Sequence, residues 1–140
     1  MTQTLEAMHR FDLPATKLAS RDVRRKLEAL DYEFPDETVE LLSLVATELV
    51  TNAVRHSGSN KIVVYVRVGP PSLLVKVCDK GPGVQARVRE HGLFDEGGRG
   101  LFLVEAVAHD WGTSRITVDG EPWSCVWACF GADRLPDCAA

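Results

Sequence analysis

The stretch that decides the reading is Asp36–His56, DETVELLSLVATELVTNAVRH. Val39, Leu42, Ala46, Leu49, Val50 and Ala53 recur in it at steps of three and four, the period of a helix packed on a core. Glu48, Asn52 and Arg55 fall at i, i+4 and i+7, so they stack along a different stripe of the same helix. A carboxylate, an amide and a guanidinium aligned beside a buried face point to a site. Asp36 is the expected N-cap, with Glu37 in the first turn, and the cluster Ser57-Gly58-Ser59-Asn60 marks the stop.

Upstream, residues 4–12 alternate loosely and read as an edge strand ending at Leu13-Pro14. Ala15–Leu30 reads as an amphipathic helix, with Leu18, Val23, Leu27 and Leu30 on its apolar face. Arg24, Arg25 and Lys26 lie among its polar positions and read as a solvated face. Downstream, Lys61–Val68 and Leu73–Asp79 are β-rich runs joined by Gly69-Pro70-Pro71-Ser72, a hairpin signature. In the second run Leu74, Lys76 and Cys78 share the face expected nearer solvent. By parity, Leu73, Val75, Val77 and Asp79 share the inner face. A carboxylate at the end of that apolar row needs donors, because burying it unpartnered is costly.

Residues 80–98 have little periodicity and hold Gly81, Gly83, Gly92, Gly97 and Gly98. A connection this long in a small domain is commonly a functional lid. Gly98-Arg99-Gly100 then opens a helix expected over Leu101–His109, with Leu101, Phe102, Leu103, Val104 and Ala108 among its apolar positions. A glycine-rich entry to a helix N-terminus is a ready phosphate site, since free N–H groups and the dipole face the anion. Neither a dinucleotide fingerprint nor a P-loop fits, because the third glycine of the first and the Gly-Lys-Ser/Thr of the second are missing. Two closing strands, Arg115–Val118 and Ser124–Phe130, flank a turn at Asp119-Gly120-Glu121-Pro122.

The 140 residues, 45% hydrophobic and 26% charged, fit one domain over residues 1–131 with a tail at 132–140. A formal net charge of −4 gives no general attraction to nucleic acid or anionic membrane, so neither is an expected partner. No signal peptide and no apolar run of about 18 residues is evident, and a cytoplasmic location is expected. Cys78, Cys125, Cys129 and Cys138 form no CxxC pair and no metal-spaced cluster with His, and read as small apolar residues.

Three of these segments resemble, in order, the nucleotide-binding boxes of the GHKL ATPase superfamily, which includes gyrase and the sensor histidine kinases. Glu48-Leu-Val-Thr-Asn52-Ala-Val-Arg55-His56 resembles its N box, Asp79-Lys-Gly81-Pro-Gly83-Val84 its first glycine box, and Gly98-Arg99-Gly100-Leu101-Phe-Leu-Val104 its second. The Phe-Asp-Leu-Pro start, the ELVTNAVRHS wording and an expected turn at Asp110-Trp111-Gly112 look most like the bacterial anti-sigma-factor serine/threonine kinases.

The resemblance implies an α+β, two-layer α/β sandwich of the Bergerat ATP-binding type: a mixed, mainly antiparallel sheet covered on one face by about three helices. It implies ATP and Mg²⁺ as cofactors. Asp79 would accept from the adenine amino group, with Gly81, Gly83 and Val84 letting backbone approach the ring. Asn52 would offer an amide oxygen to Mg²⁺, whose shell is completed by phosphates and water. Gly98, Arg99, Gly100 and Leu101 would hold phosphates through backbone N–H groups, and Arg55 would neutralise phosphate charge. Glu48 would orient or deprotonate the attacking hydroxyl. In the final strand Cys125 aligns with a Thr that holds the adenine end in many relatives.

The implied function is a regulatory serine/threonine kinase that switches between a sigma factor and an anti-anti-sigma antagonist protein, with a possible first-strand homodimer. The alternative is a non-catalytic nucleotide-binding or regulator-sequestering module. A detached histidine kinase catalytic domain fits less well, since His9, His56, His91 and His109 are in the wrong setting to accept phosphate.

Overall fold

A computed structural model of the chain describes residues 7–32, 34–69, 72–82 and 99–131. Its elements run β1 (Ala7–Pro14), α1 (Ala19–Glu28), α2 (Asp36–His56), β2 (Lys61–Gly69), β3 (Ser72–Asp79), α3 (Arg99–Val107), β4 (Asp110–Val118) and β5 (Glu121–Gly131). The strands form one sheet in the order β1-β2-β3-β5-β4, and every pairing among the described residues is antiparallel. The expected α+β two-layer sandwich is therefore present, with a uniformly antiparallel rather than mixed sheet.

The α2 boundaries match the expected span, but its N-cap is Pro35 and Asp36 is the first helical residue. Proline's fixed φ and missing N–H suit it to a helix entry, while Asp36 and Glu37 face the positive end of the dipole from the first turn. At the other end Gly58, at φ 71°, supplies the left-handed residue that ends a helix without a Cβ penalty. The α1 helix is shorter than its periodicity suggests. Thr16 Oγ1 accepts from Leu18 N at 3.2 Å, and Ala15 N donates to Asn60 O at 3.0 Å. These bonds take residues 15–18 out of the helix, and Leu18 is exposed rather than on the apolar face.

The core lies between the helices and one sheet face. Val23 and Leu27 of α1, Leu42, Val45, Ala46, Leu49, Val50 and Ala53 of α2, and Val104 of α3 meet Ile62, Val64, Val66, Leu73, Val75, Val77 and Phe130. Each such side chain contributes roughly 1.5–3 kcal/mol when fully buried, so α2, the most heavily buried helix, is fixed in position and depth. Phe102 departs from expectation: it sits in α3 but is exposed, and only Val104 among the described α3 side chains is fully buried. Arg24, Arg25 and Lys26 are exposed, as expected of a solvated face.

The outer sheet face corrects a second expectation. Leu74 and Cys78 are buried there and Lys76 is half-buried. Trp127 and Cys129 cover Leu74, while Trp123, Cys125, Val63 and Val118 surround Cys78. Gly112 makes room for this packing: a Cβ there would stand 2.6 Å from the Trp127 ring. Asp110-Trp111-Gly112 is accordingly the start of β4 and not a turn, opposite Cys129, Ala128 and Trp127. The strand extends toward α3 because the eleven-residue β5 offers it partners, and His109 N donates to Cys129 O at 2.9 Å. At the other end Asp119 and Gly120, at φ 49° and 84°, make a two-residue turn with both residues left-handed, the geometry of a type I′ hairpin.

Charged side chains roof this outer face near the hairpin. Arg10 donates to Asp119 at 2.9 and 2.8 Å and to Asp12 at 2.8 and 3.2 Å, and Lys61 reaches Asp12 at 3.1 Å. Both carboxyls are held below the usual Asp value of 3.8, chiefly by the Arg10 hydrogen bonds. A lowered folded-state pKa gives stability that is present above the unfolded value and lost as pH falls through the folded value. We therefore expect the melting temperatures of the wild type and Arg10→Ala to differ at neutral pH and to converge as pH drops from about 4 toward about 2. Thermal melts across that range test this, and a constant difference would contradict it.

Candidate functional site

Three elements supply the polar residues that the core leaves over. Glu48 and Asn52 lie one turn apart on α2, the first half-buried and the second only 5% exposed. The Asn52 amide nitrogen has no hydrogen-bond partner among the described residues, although an unsatisfied buried polar group costs about 1–3 kcal/mol. No hydrogen bond or ion pair to Glu48 occurs among the described residues. Among the described residues α2 thus carries an unpartnered amide nitrogen one turn from a carboxylate without a partner.

Asp79 ends β3 on the helix-facing side, as parity requires, and is 7% exposed. Its Oδ1 accepts from Gly81 N at 2.7 Å, a bond that closes the turn after β3. The turn is pressed against the end of α2. A Cβ on Gly81 would lie 2.8 Å from both Cα and O of Ser57, and 3.0 Å from Asp79 Oδ1. Lys80 N also approaches Ser59 Oγ at 3.4 Å, and that hydroxyl donates to Lys61 O at 2.7 Å. The Asn52 helix and the Asp79 strand are thus joined through backbone, at a contact only glycine permits. Gly81→Ala should cost about 1–3 kcal/mol, because backbone rather than a flexible side chain must yield. An unchanged denaturation midpoint for that variant would contradict the close approach.

Two residues that the sequence did not single out complete this end. Ser124 is buried at 5% exposure directly opposite Asp79 in the β3–β5 register, and its Oγ donates to Gly81 O at 3.0 Å. Arg115, opposite Ser124 in the β4–β5 register, donates from Nη1 to the same hydroxyl at 2.9 Å. Cys125, expected at the adenine end, lies instead on the outer face opposite Cys78. Successive strand residues point to opposite faces, so a one-residue offset puts a hydroxyl where a thiol was expected. A hydrogen bond to Cys125 and then burial push the Cys78 thiol well above its usual range, so that thiol stays protonated and apolar in character.

Arg99, Gly100 and Leu101 form the first turn of α3, whose leading N–H groups lack partners within the helix. That helix packs against α2, so all three polar segments gather around one helix. Gly83, Val84, Gly98 and the rest of the expected lid lie outside the described residues. Arg55 is exposed and lines a cavity of about 140 Å³ with Thr16, Lys17, Ser20, Thr51 and Val54, on the flank of α2 that faces the start of α1.

The donor set suits a magnesium nucleotide. The Asn52 side chain has a hard amide oxygen, the start of α3 has N–H groups, and Asp79 is a buried carboxylate beside a glycine turn. A family model for the histidine kinase-like ATPase domain matches residues 13–128, most of the chain. The chain belongs to that family. None of the curated proteins compared with it matches. The histidine kinase-like ATPase domain is an ATP-binding domain of a superfamily of kinases and ATPases. Bound Mg²⁺ would neutralise phosphate charge, and Asn52 would hold it through its amide oxygen. No helix among the described residues is long and apolar enough to cross a membrane.

Proposed function

We propose that the chain is a Mg-ATP-dependent protein serine/threonine kinase that also sequesters a sigma factor or similar regulator and phosphorylates its antagonist protein. The observation that carries the proposal is the α2 stripe. Glu48, half-buried and without a structural partner among the described residues, stands one turn from the orphaned amide of Asn52. In that place a carboxylate can orient a substrate hydroxyl or take its proton beside the metal-bound phosphate end. Among the described residues β1 is paired along one edge only, by β2, which supports pairing with a second copy through that strand.

One observation favours the second reading, a module that binds ATP and a partner without transferring phosphate. Nothing among the described residues orients the Glu48 carboxylate, whereas an acting base is normally held by a neighbour. Incubation with γ-labelled ATP, Mg²⁺ and the small antagonist protein encoded nearest this chain separates the two. Label on a Ser or Thr of the antagonist is the expected result. Partner binding without label would favour the passive module.

A further inference from the structure

Asp79, Ser124 and Arg115 stand side by side on β3, β5 and β4, each opposite the next in register and all on the helix-facing side of the sheet. The Gly81 peptide is held from several directions. Ser57 backbone crowds its Cα, Asp79 Oδ1 takes its N–H, and the Ser124 hydroxyl takes its carbonyl. Ser124 has one proton to donate and two lone pairs with which to accept. Arg115 is an exposed edge-strand residue, yet its Nη1 points inward and occupies the accepting side of that hydroxyl. A charged donor there directs the hydroxyl proton to Gly81 O and strengthens the bond it makes, since linked hydrogen bonds polarise one another.

We propose that Arg115 is a positioning residue for the nucleobase end of the site, acting through Ser124 on the Gly81 carbonyl and so on the orientation of the Asp79 carboxylate. The role rests on the reading of Asp79 as the adenine acceptor. With Arg115 in place the glycine turn is fixed before nucleotide arrives, and Asp79 holds one orientation. Without it the Ser124 hydroxyl can rotate toward water, and the turn loses its brace at the Gly81 carbonyl while keeping the Ser57 contact, the Asp79 bond and the approach of Lys80 N to Ser59 Oγ.

The test uses calorimetric titration with Mg-ATP and, separately, amide hydrogen exchange of the nucleotide-free protein. Arg115→Ala should weaken ATP binding about threefold to tenfold and Ser124→Ala about tenfold, the range of one hydrogen bond. Melting temperatures should change little for the exposed Arg115. Ser124→Thr, which keeps the hydroxyl, should recover much of the affinity that Ser124→Ala loses. The double variant should bind no worse than Ser124→Ala, because Arg115 acts only through that hydroxyl. In the nucleotide-free protein, Gly81 N–H should exchange faster in Arg115→Ala. Unchanged Gly81 exchange in that variant, or losses of affinity that add in the double variant, would overturn the proposal. A wild-type chain that fails to bind ATP would overturn the adenine reading itself, and the exchange measurement shows whether the brace exists regardless.

Discussion

Asp79→Asn is expected to lose ATP affinity by about 10- to 150-fold, the worth of a hydrogen bond to a charged acceptor, while the fold is retained. The reason lies in how the carboxylate is already used. Its Oδ1 accepts from Gly81 N at 2.7 Å, a bond that closes the turn against α2. An asparagine has one oxygen, and the Gly81 N–H claims it. The end proposed to meet the nucleobase would then become an NH₂ group, a donor set against the donating amino group of adenine. Rotating the amide to meet adenine would turn its nitrogen on the Gly81 N–H, so either orientation leaves one clash of donors. Titration of both proteins with Mg-ATP measures the difference, with thermal melts as the control for folding. Equal affinities would remove Asp79 from the nucleotide site.

The second large effect is expected at Glu48. Glu48→Ala should bind Mg-ATP with little change but transfer phosphate about 10²- to 10⁴-fold more slowly, the usual contribution of a positioned acid or base. The separation of the two effects follows from position. Glu48 lies on α2 a turn before Asn52 and is farther from the turn proposed to receive the base, so the proposed holding contacts survive its removal. It is only half-buried, with no structural partner among the described residues, so truncation leaves neither an orphaned charge nor a large cavity. Single-turnover transfer from labelled ATP to the antagonist protein reads the chemical step apart from binding. Undiminished transfer would deny Glu48 a catalytic role and leave Asn52 and Asp79 untouched.

The sequence carried the placement of the helix and of Asp79 because each rests on local periodicity. Two stripes along 21 residues of α2 are visible without any knowledge of what they pack against. The side of β3 on which Asp79 lies follows from alternation with Val75 and Val77, and the buried carboxylate is where that parity puts it. What local pattern does not contain is register between distant strands. Ser124 and Arg115 acquire meaning only when β5 lies between β3 and β4 with Ser124 opposite both Asp79 and Arg115. The Cys125 expectation failed for the same reason, since an alignment by resemblance one residue out exchanges the two faces of a strand. The outer face was misjudged because Lys76 suggested solvent, while the covering Trp123 and Trp127 come from a strand some fifty residues later. The one-turn shortening of α1 came from a threonine side chain competing with the helix for an amide, a choice periodicity does not register.

The central claim is that the amide of Asn52 and the carboxylate of Asp79, joined through the Gly81–Ser57 contact, form the two ends of one Mg-ATP site. Calorimetric titration of the wild-type chain with ATP, in the presence and absence of Mg²⁺, tests it most directly, with Asn52→Ala as the paired variant. The account predicts saturable binding of one ATP per chain, tightened by Mg²⁺ in the wild type, with most of that tightening lost in Asn52→Ala. Failure of the wild type to bind ATP, or the same Mg²⁺ enhancement in Asn52→Ala, would contradict it.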